Sequence, residues 1–224
     1  MDDQQLGTLG YISVIWNRIE RNLAACIWVV ARWEQNVGEV VTAGLGNVSQ
    51  TDLLTNLIGL KNNDPKLAEQ AQKTVALYQL IRGSRNDLMH GFYNSEHIGL
   101  QPAKSLTKVT SRKGGGPIEL KVVPVSLEYL QQLASDMHVC NESLYDLRHK
   151  FFFRNRWIDG HRGPLENNYE DAVHGWRAPS FETSFVQEVL ARRSQLLNPP
   201  RSRSQPKASQ AKSRTKTPPG PQSE

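Results

Sequence analysis

Arg85 and His90, an arginine and a histidine with four residues between them, are the side chains here best suited to chemistry on a phosphodiester. Arginine carries a permanent charge on a planar donor fork that matches two phosphate oxygens. Histidine both takes and gives a proton near neutral pH. In RNA the 2′-hydroxyl can attack the adjacent phosphorus. A histidine can accept the 2′ proton or protonate the leaving 5′ oxygen. An arginine can offset the charge that builds on the phosphorane oxygens. No metal is required, and the products would be a 2′,3′-cyclic phosphate and a 5′-hydroxyl.

Geometry sets a condition on this pair. Residues five apart on an ideal helix differ in direction by about 140° at 3.6 residues per turn. Asn86 and His90, four apart, share a face. If the helix ends near Gly91, His90 can swing back toward Arg85, and Asn86 can orient the imidazole. A second pair at the same spacing, Arg156 and His161, follows Arg154-Asn155. It precedes irregular, Gly-containing chain rather than closing a long amphipathic helix, and we read it as a chance match. His97, His138, His149 and His174 stand singly, and no two histidines lie one helical turn apart. No Gly-rich phosphate loop follows a strand, and Gly114-Gly115-Gly116-Pro117 reads as a turn. No metal and no cofactor are therefore expected.

The elements that must position Arg85 and His90 are mostly helical. Ile12, Ile15, Trp16, Ile19, Leu23, Cys26, Ile27 and Val30 recur at spacings of three and four, which predicts a helix over 6–35. Trp16 and Trp28 lie on or beside this stripe and are expected in the core. Residues 36–48, rich in Gly and Asn, read as a looser segment. Ser49 with Asp52 suggests a capped start for a helix over 49–61. Asp64-Pro65 is a stronger start for a helix over 64–91. Ile118, Leu120 and Val122 alternate with polar residues, and Leu100 to Ser111 is a weaker partner, so a β-hairpin is expected within 93–124. Ser126 caps a helix to about 156, with Phe151–Phe153 and Trp157 packing back on the bundle. Residues 159–179 read as irregular, and Ser180 begins a final helix to about Leu197. The fold class expected is all-α: four helices around one core, with an inserted hairpin.

The string Arg85-Asn86-Asp87-Leu88-Met89-His90-Gly91 resembles the RNxxxH form of the HEPN family. The first helix, from Gly10-Tyr11 through Trp16-Asn17 to Ile19-Glu20, is similar to the opening helix of many bacterial HEPN-like proteins. The resemblance covers about residues 5–155, with a HEPN-like bundle at 5–156 followed by an irregular segment and short helix at 157–197. It implies a homodimer in which the motif helices of two protomers line a shared cleft. It implies a metal-independent endoribonuclease, of toxin or defence type, with Arg85 and His90 catalytic and Asn86 supporting. RNA would be the substrate, and a cognate antitoxin or nucleotidyltransferase a partner. Glu20, at the edge of the first apolar stripe, is a looser supporting candidate, since a carboxylate there needs a partner such as Arg85 or Arg82. The alternative reading is a non-catalytic HEPN-like module that binds a nucleotide or a partner. Asp87 within the motif, a carboxylate that would repel phosphate, favours it.

Charge is unevenly placed. The formal net charge is +5, and residues 197–224 carry six basic side chains against Glu224. The rest of the chain is therefore balanced, with 21 basic and 21 acidic residues. Residues 198–224, rich in Pro, Ser, Lys and Arg, lack the apolar surface to offset ordering entropy and are expected to be a disordered basic tail. No signal peptide and no run of roughly 20 apolar residues is visible, so a cytoplasmic protein off the membrane is expected. Cys26 and Cys140 read as reduced core thiols.

Overall fold

A computed structural model describes residues 1–61, 63–90, 105–110, 119–160, 169–174 and 183–197. Its body is all-α. Six helices occur among the described residues: α1 (Asp3–Ala31), α2 (Gln35–Ala43), α3 (Asn47–Lys61), α4 (Pro65–Met89), α5 (Leu127–Ile158) and α6 (Thr183–Leu197). A π-helical turn spans Glu170–His174. Two strands, β1 (Ser105–Thr110) and β2 (Glu119–Pro124), pair antiparallel with Ser105 opposite Pro124 and Thr110 opposite Glu119. The expected hairpin is thus present, while its turn at 114–117 lies outside the described residues. So do Gly91, His97, His161, Ser180 and the basic tail.

Local chemistry explains most boundaries. Asp2 caps α1 by accepting from the Gln5 N–H, and the Gln5 side chain accepts in return from the Asp2 N–H, a reciprocal box. Asp64 caps α4 through the Leu67 N–H, with Pro65 at the first helical position. Ser126 caps α5 through the Tyr129 N–H. Three expectations need correction. Helix α1 ends at Ala31, where Arg32 turns left-handed (φ 61°) and its N–H closes on Trp28 and Val29. The segment read as loose contains α2. Ser49 lies inside α3, which begins at Asn47, so it is no cap.

The helices run as a bundle. Gln5 Nε2 donates to the Val125 carbonyl (2.7 Å), Asn22 to Asn141 (3.0 Å), and Asn155 to the Val29 carbonyl (2.7 Å). Helix α5 therefore runs parallel to α1. Helix α4 runs against α5, since Gln70 reaches Asp146 (2.6 Å) and Thr74 meets Ser143 (2.6 Å). At its start α3 meets the middle of α1 through Asn47 and Glu20, and at its end Lys61 reaches the Ala31 carbonyl. It thus flanks only the second half of α1. One core joins Ile12, Trp16, Ile19, Leu23 and Ile27 of α1 with Leu54, Leu67, Tyr78, Ile81, Leu88, Leu133, Met137, Leu144 and Phe151. Cys26 and Cys140 are free and buried in it. Burial pushes the Cys26 thiol up to about 12 and raises Cys140 as well, so both stay protonated at neutral pH. No helix among the described residues is long and apolar enough to cross a membrane.

Candidate functional site

Helix α4 carries Tyr78, Arg82 and Arg85 at positions four and seven apart, so they lie along one face. Tyr78 stacks on Trp16 of α1, with ring centroids 5.3 Å apart and planes at 27°. The Arg85 guanidinium lies over the same indole, 5.6 Å from its centroid, a cation–π arrangement. Its Nη1 also donates to Asn86 Oδ1 (3.2 Å). The arginine of the motif is thus set on an aromatic platform supplied by another helix.

The platform is short of hydrogen-bond partners. Trp16 Nε1, the Tyr78 hydroxyl and Arg85 Nε are buried without a partner among the described residues. Burial raises the Tyr78 pKa, and the nearby charge of Glu20 pushes the same way, while Arg82 and Arg85 oppose it. Tyr78 therefore stays a neutral hydroxyl. Ser84, next to Arg85, accepts from Arg193 Nη1 (2.8 Å) of α6. Arg193 Nε in turn pairs with buried Asp136 of α5 (2.7 Å), which also takes Arg192. The end of α4 is thereby tied to α5 and α6.

The four residues singled out from sequence are not all brought together. Arg85 is half-buried, and His90 is exposed at the C-terminal cap of α4. The His90 N–H closes on the Asn86 carbonyl (3.1 Å). Asn86 Oδ1 accepts from Arg85, and among the described residues Asn86 makes no side-chain hydrogen bond to His90. Glu20 accepts from Asn47 Nδ2 (2.7 Å) and makes no ion pair with Arg82 or Arg85. Trp16, Tyr78 and Asn47 were missed as neighbours of the motif. The spacing of Tyr78, Arg82 and Arg85 signals a shared face, but nothing local to α4 names the helix opposite.

The second motif is occupied by structural contacts. Arg154 donates to the Lys61 carbonyl (2.6 Å), Asn155 to the Val29 carbonyl, and Arg156 lies over the Phe152 ring at 6.0 Å. His149 packs on Tyr145 (4.3 Å between centroids). His174 bonds Asp64 Oδ2 (2.9 Å), which also accepts from the Tyr169 hydroxyl (2.5 Å). Among the described residues no three His, Cys, Asp or Glu side chains come together as metal ligands. Comparison with family models, curated proteins and solved structures yields no match.

Proposed function

We propose that the protein is a metal-independent endoribonuclease of the HEPN type, acting as a homodimer. The observation that supports this reading is the end of α4. Arg85 is held over Trp16 with Nε unpaired among the described residues, and His90 stands exposed five residues on. Arg85 would hold two oxygens of the scissile phosphate. His90 would take the 2′ proton as the 2′ oxygen bonds phosphorus, or give a proton to the 5′ oxygen as its bond to phosphorus breaks. The products are a 2′,3′-cyclic phosphate and a 5′-hydroxyl. An antitoxin or nucleotidyltransferase partner fits a toxin or defence role.

The test is incubation of the purified protein with total RNA in EDTA. Cleavage that disappears in both Arg85→Ala and His90→Ala supports the reading. No cleavage, or cleavage that survives His90→Ala, rejects it. One observation favours a second reading, a non-catalytic binding module: Asn86 Oδ1 accepts from Arg85, and among the described residues Asn86 makes no hydrogen bond to the imidazole. RNA retained intact, with retention lost in Arg85→Ala, would select that reading.

A further inference from the structure

The outward face of α1 carries a second pattern, distinct from its core stripe. Asp3, Gly7, Gly10, Val14, Asn17 and Arg21 recur at alternating spacings of four and three, and all six are exposed. Alternation of this kind keeps one seam turned toward a partner helix. Val14 is 52% exposed, and Leu6 and Tyr11, which border the seam, are each 54% exposed. A Cβ added at Gly7 or Gly10 would meet nothing within 4 Å. A glycine inside a helix costs roughly 0.5–1 kcal/mol relative to alanine. Nothing among the described residues requires the absence of a side chain at these two positions.

We propose that this seam docks a second copy of the chain, α1 against α1, antiparallel about a two-fold axis. Charge selects both the occupant and the direction. The register that sets Gly10 opposite Val14 also sets Gly7 opposite Asn17 and Asp3 opposite Arg21. Two-fold symmetry repeats each pairing. An acid then meets a base at both ends of the seam, and the glycines admit the larger side chains at its centre. A parallel pairing would set Asp3 on Asp3 and Arg21 on Arg21. Neither Asp3 nor Arg21 has a side-chain partner among the described residues. A shallow groove beside the seam, lined by Thr8 and Tyr11 of α1 with Leu127, Ala134 and Ser135 of α5, extends the contact onto α5. One helix seam buries less than the roughly 800 Å² per partner of a standard stable interface. The dimer should therefore be weak, with a Kd on the order of micromolar. The seam lies on the side of α1 away from Trp16 and Arg85, so it goes beyond the proposed function: it names a surface for self-association that is separate from any cleft between two α4 ends.

The test is analytical ultracentrifugation of the full chain over roughly 1–100 μM. The protein should reach twice 25.3 kDa at the upper end. Gly10→Leu, which fills the point of closest approach, should weaken association about tenfold or more with helicity kept. Asp3→Arg should weaken it too, and adding Arg21→Asp should restore it. A monomer throughout the range overturns the proposal. A dimer that ignores both Gly10→Leu and Asp3→Arg overturns it equally, because another face then holds the copies. No RNA enters this measurement. A dimer that responds to these substitutions but cleaves nothing rejects the ribonuclease reading and leaves the seam standing.

Discussion

At the scale of single residues, Arg85 is held in a way a lysine cannot copy. Its guanidinium carbon lies over an indole and one Nη donates to Asn86. A lysine keeps the charge but loses the fork. Arg85→Lys should therefore lose about a hundredfold or more in RNA cleavage, the usual cost of removing one preorganised donor. His90→Ala should lose a comparable factor, with stability changed by no more than about 0.5 kcal/mol because the side chain is exposed. An Arg85→Lys enzyme of full activity would refute the bidentate role. Residue type and spacing single out these two side chains. They were not enough to find Trp16 and Tyr78, because those contacts cross the bundle and depend on helix packing. The same limit hid Gly38. A Cβ there would sit 2.4 Å from the Trp28 ring, whose Nε1 already donates to Thr42. The rigid ring cannot yield cheaply. Gly38→Ala should cost about 1–3 kcal/mol as an overpacking change, seen as a lower urea midpoint. An unchanged midpoint would mean that α2 docks elsewhere.

At the scale of elements, α4 carries the motif at one end and a polar clasp at the other. Strong caps made α4 and α5 readable from sequence. Helix α2 was not readable, because its residues include Asn36, Gly38 and three valines, and only Gly38 and Thr42 are buried. Its apolar residues, Val37, Val40 and Val41, stay exposed instead of marking a core face, and its position depends on the close approach to Trp28. The clasp was also invisible, since Asp64 looks like a cap and nothing more. Its second oxygen receives Tyr169 and His174, joining the π-helical turn to the start of α4. Burial pushes the Asp64 carboxyl up, but hydrogen bonds from Tyr169, the Leu67 N–H and His174, with the histidine charge, outweigh it. The net shift is downward. A carboxyl held below its unfolded value stabilises above that value, about pH 4, and the stabilisation is lost as pH falls through the lower folded value. Asp64→Asn keeps the cap and removes this term. Its urea stability should lie below that of the unaltered protein near pH 6, and the two should converge in acid. Parallel curves across that window would show that the Asp64 charge contributes nothing.

At the scale of the whole molecule, charge is unevenly placed along the chain. The described helices all lie within residues 3–197, and residues 1–196 are balanced in charge, while six cations lie beyond Leu197, where the last described helix ends. Polyanion binding driven by counterion release grows with the number of cations engaged, about 0.7 in log–log slope per charge on a single strand. Six cations can then account for a slope of up to about four. On the proposed reading the Arg85 platform would add little to that slope, because it would offer one guanidinium to one phosphate. Affinity and chemistry should therefore respond to different parts of the chain. Deleting residues 199–224 should flatten the salt dependence of RNA binding toward that of the neutral body and lower affinity most at low salt. Positions of cleavage, and the rate at saturating RNA, should stay as they were, because in the proposed mechanism Arg85 holds the scissile phosphate without the tail. Filter binding across a salt series, with single-turnover cleavage on the same preparations, measures both. A deletion that leaves the slope intact would place the cations elsewhere. A deletion that abolishes cleavage at saturating RNA would make the tail part of the site, and Arg85 could no longer be the sole cation acting on the phosphate.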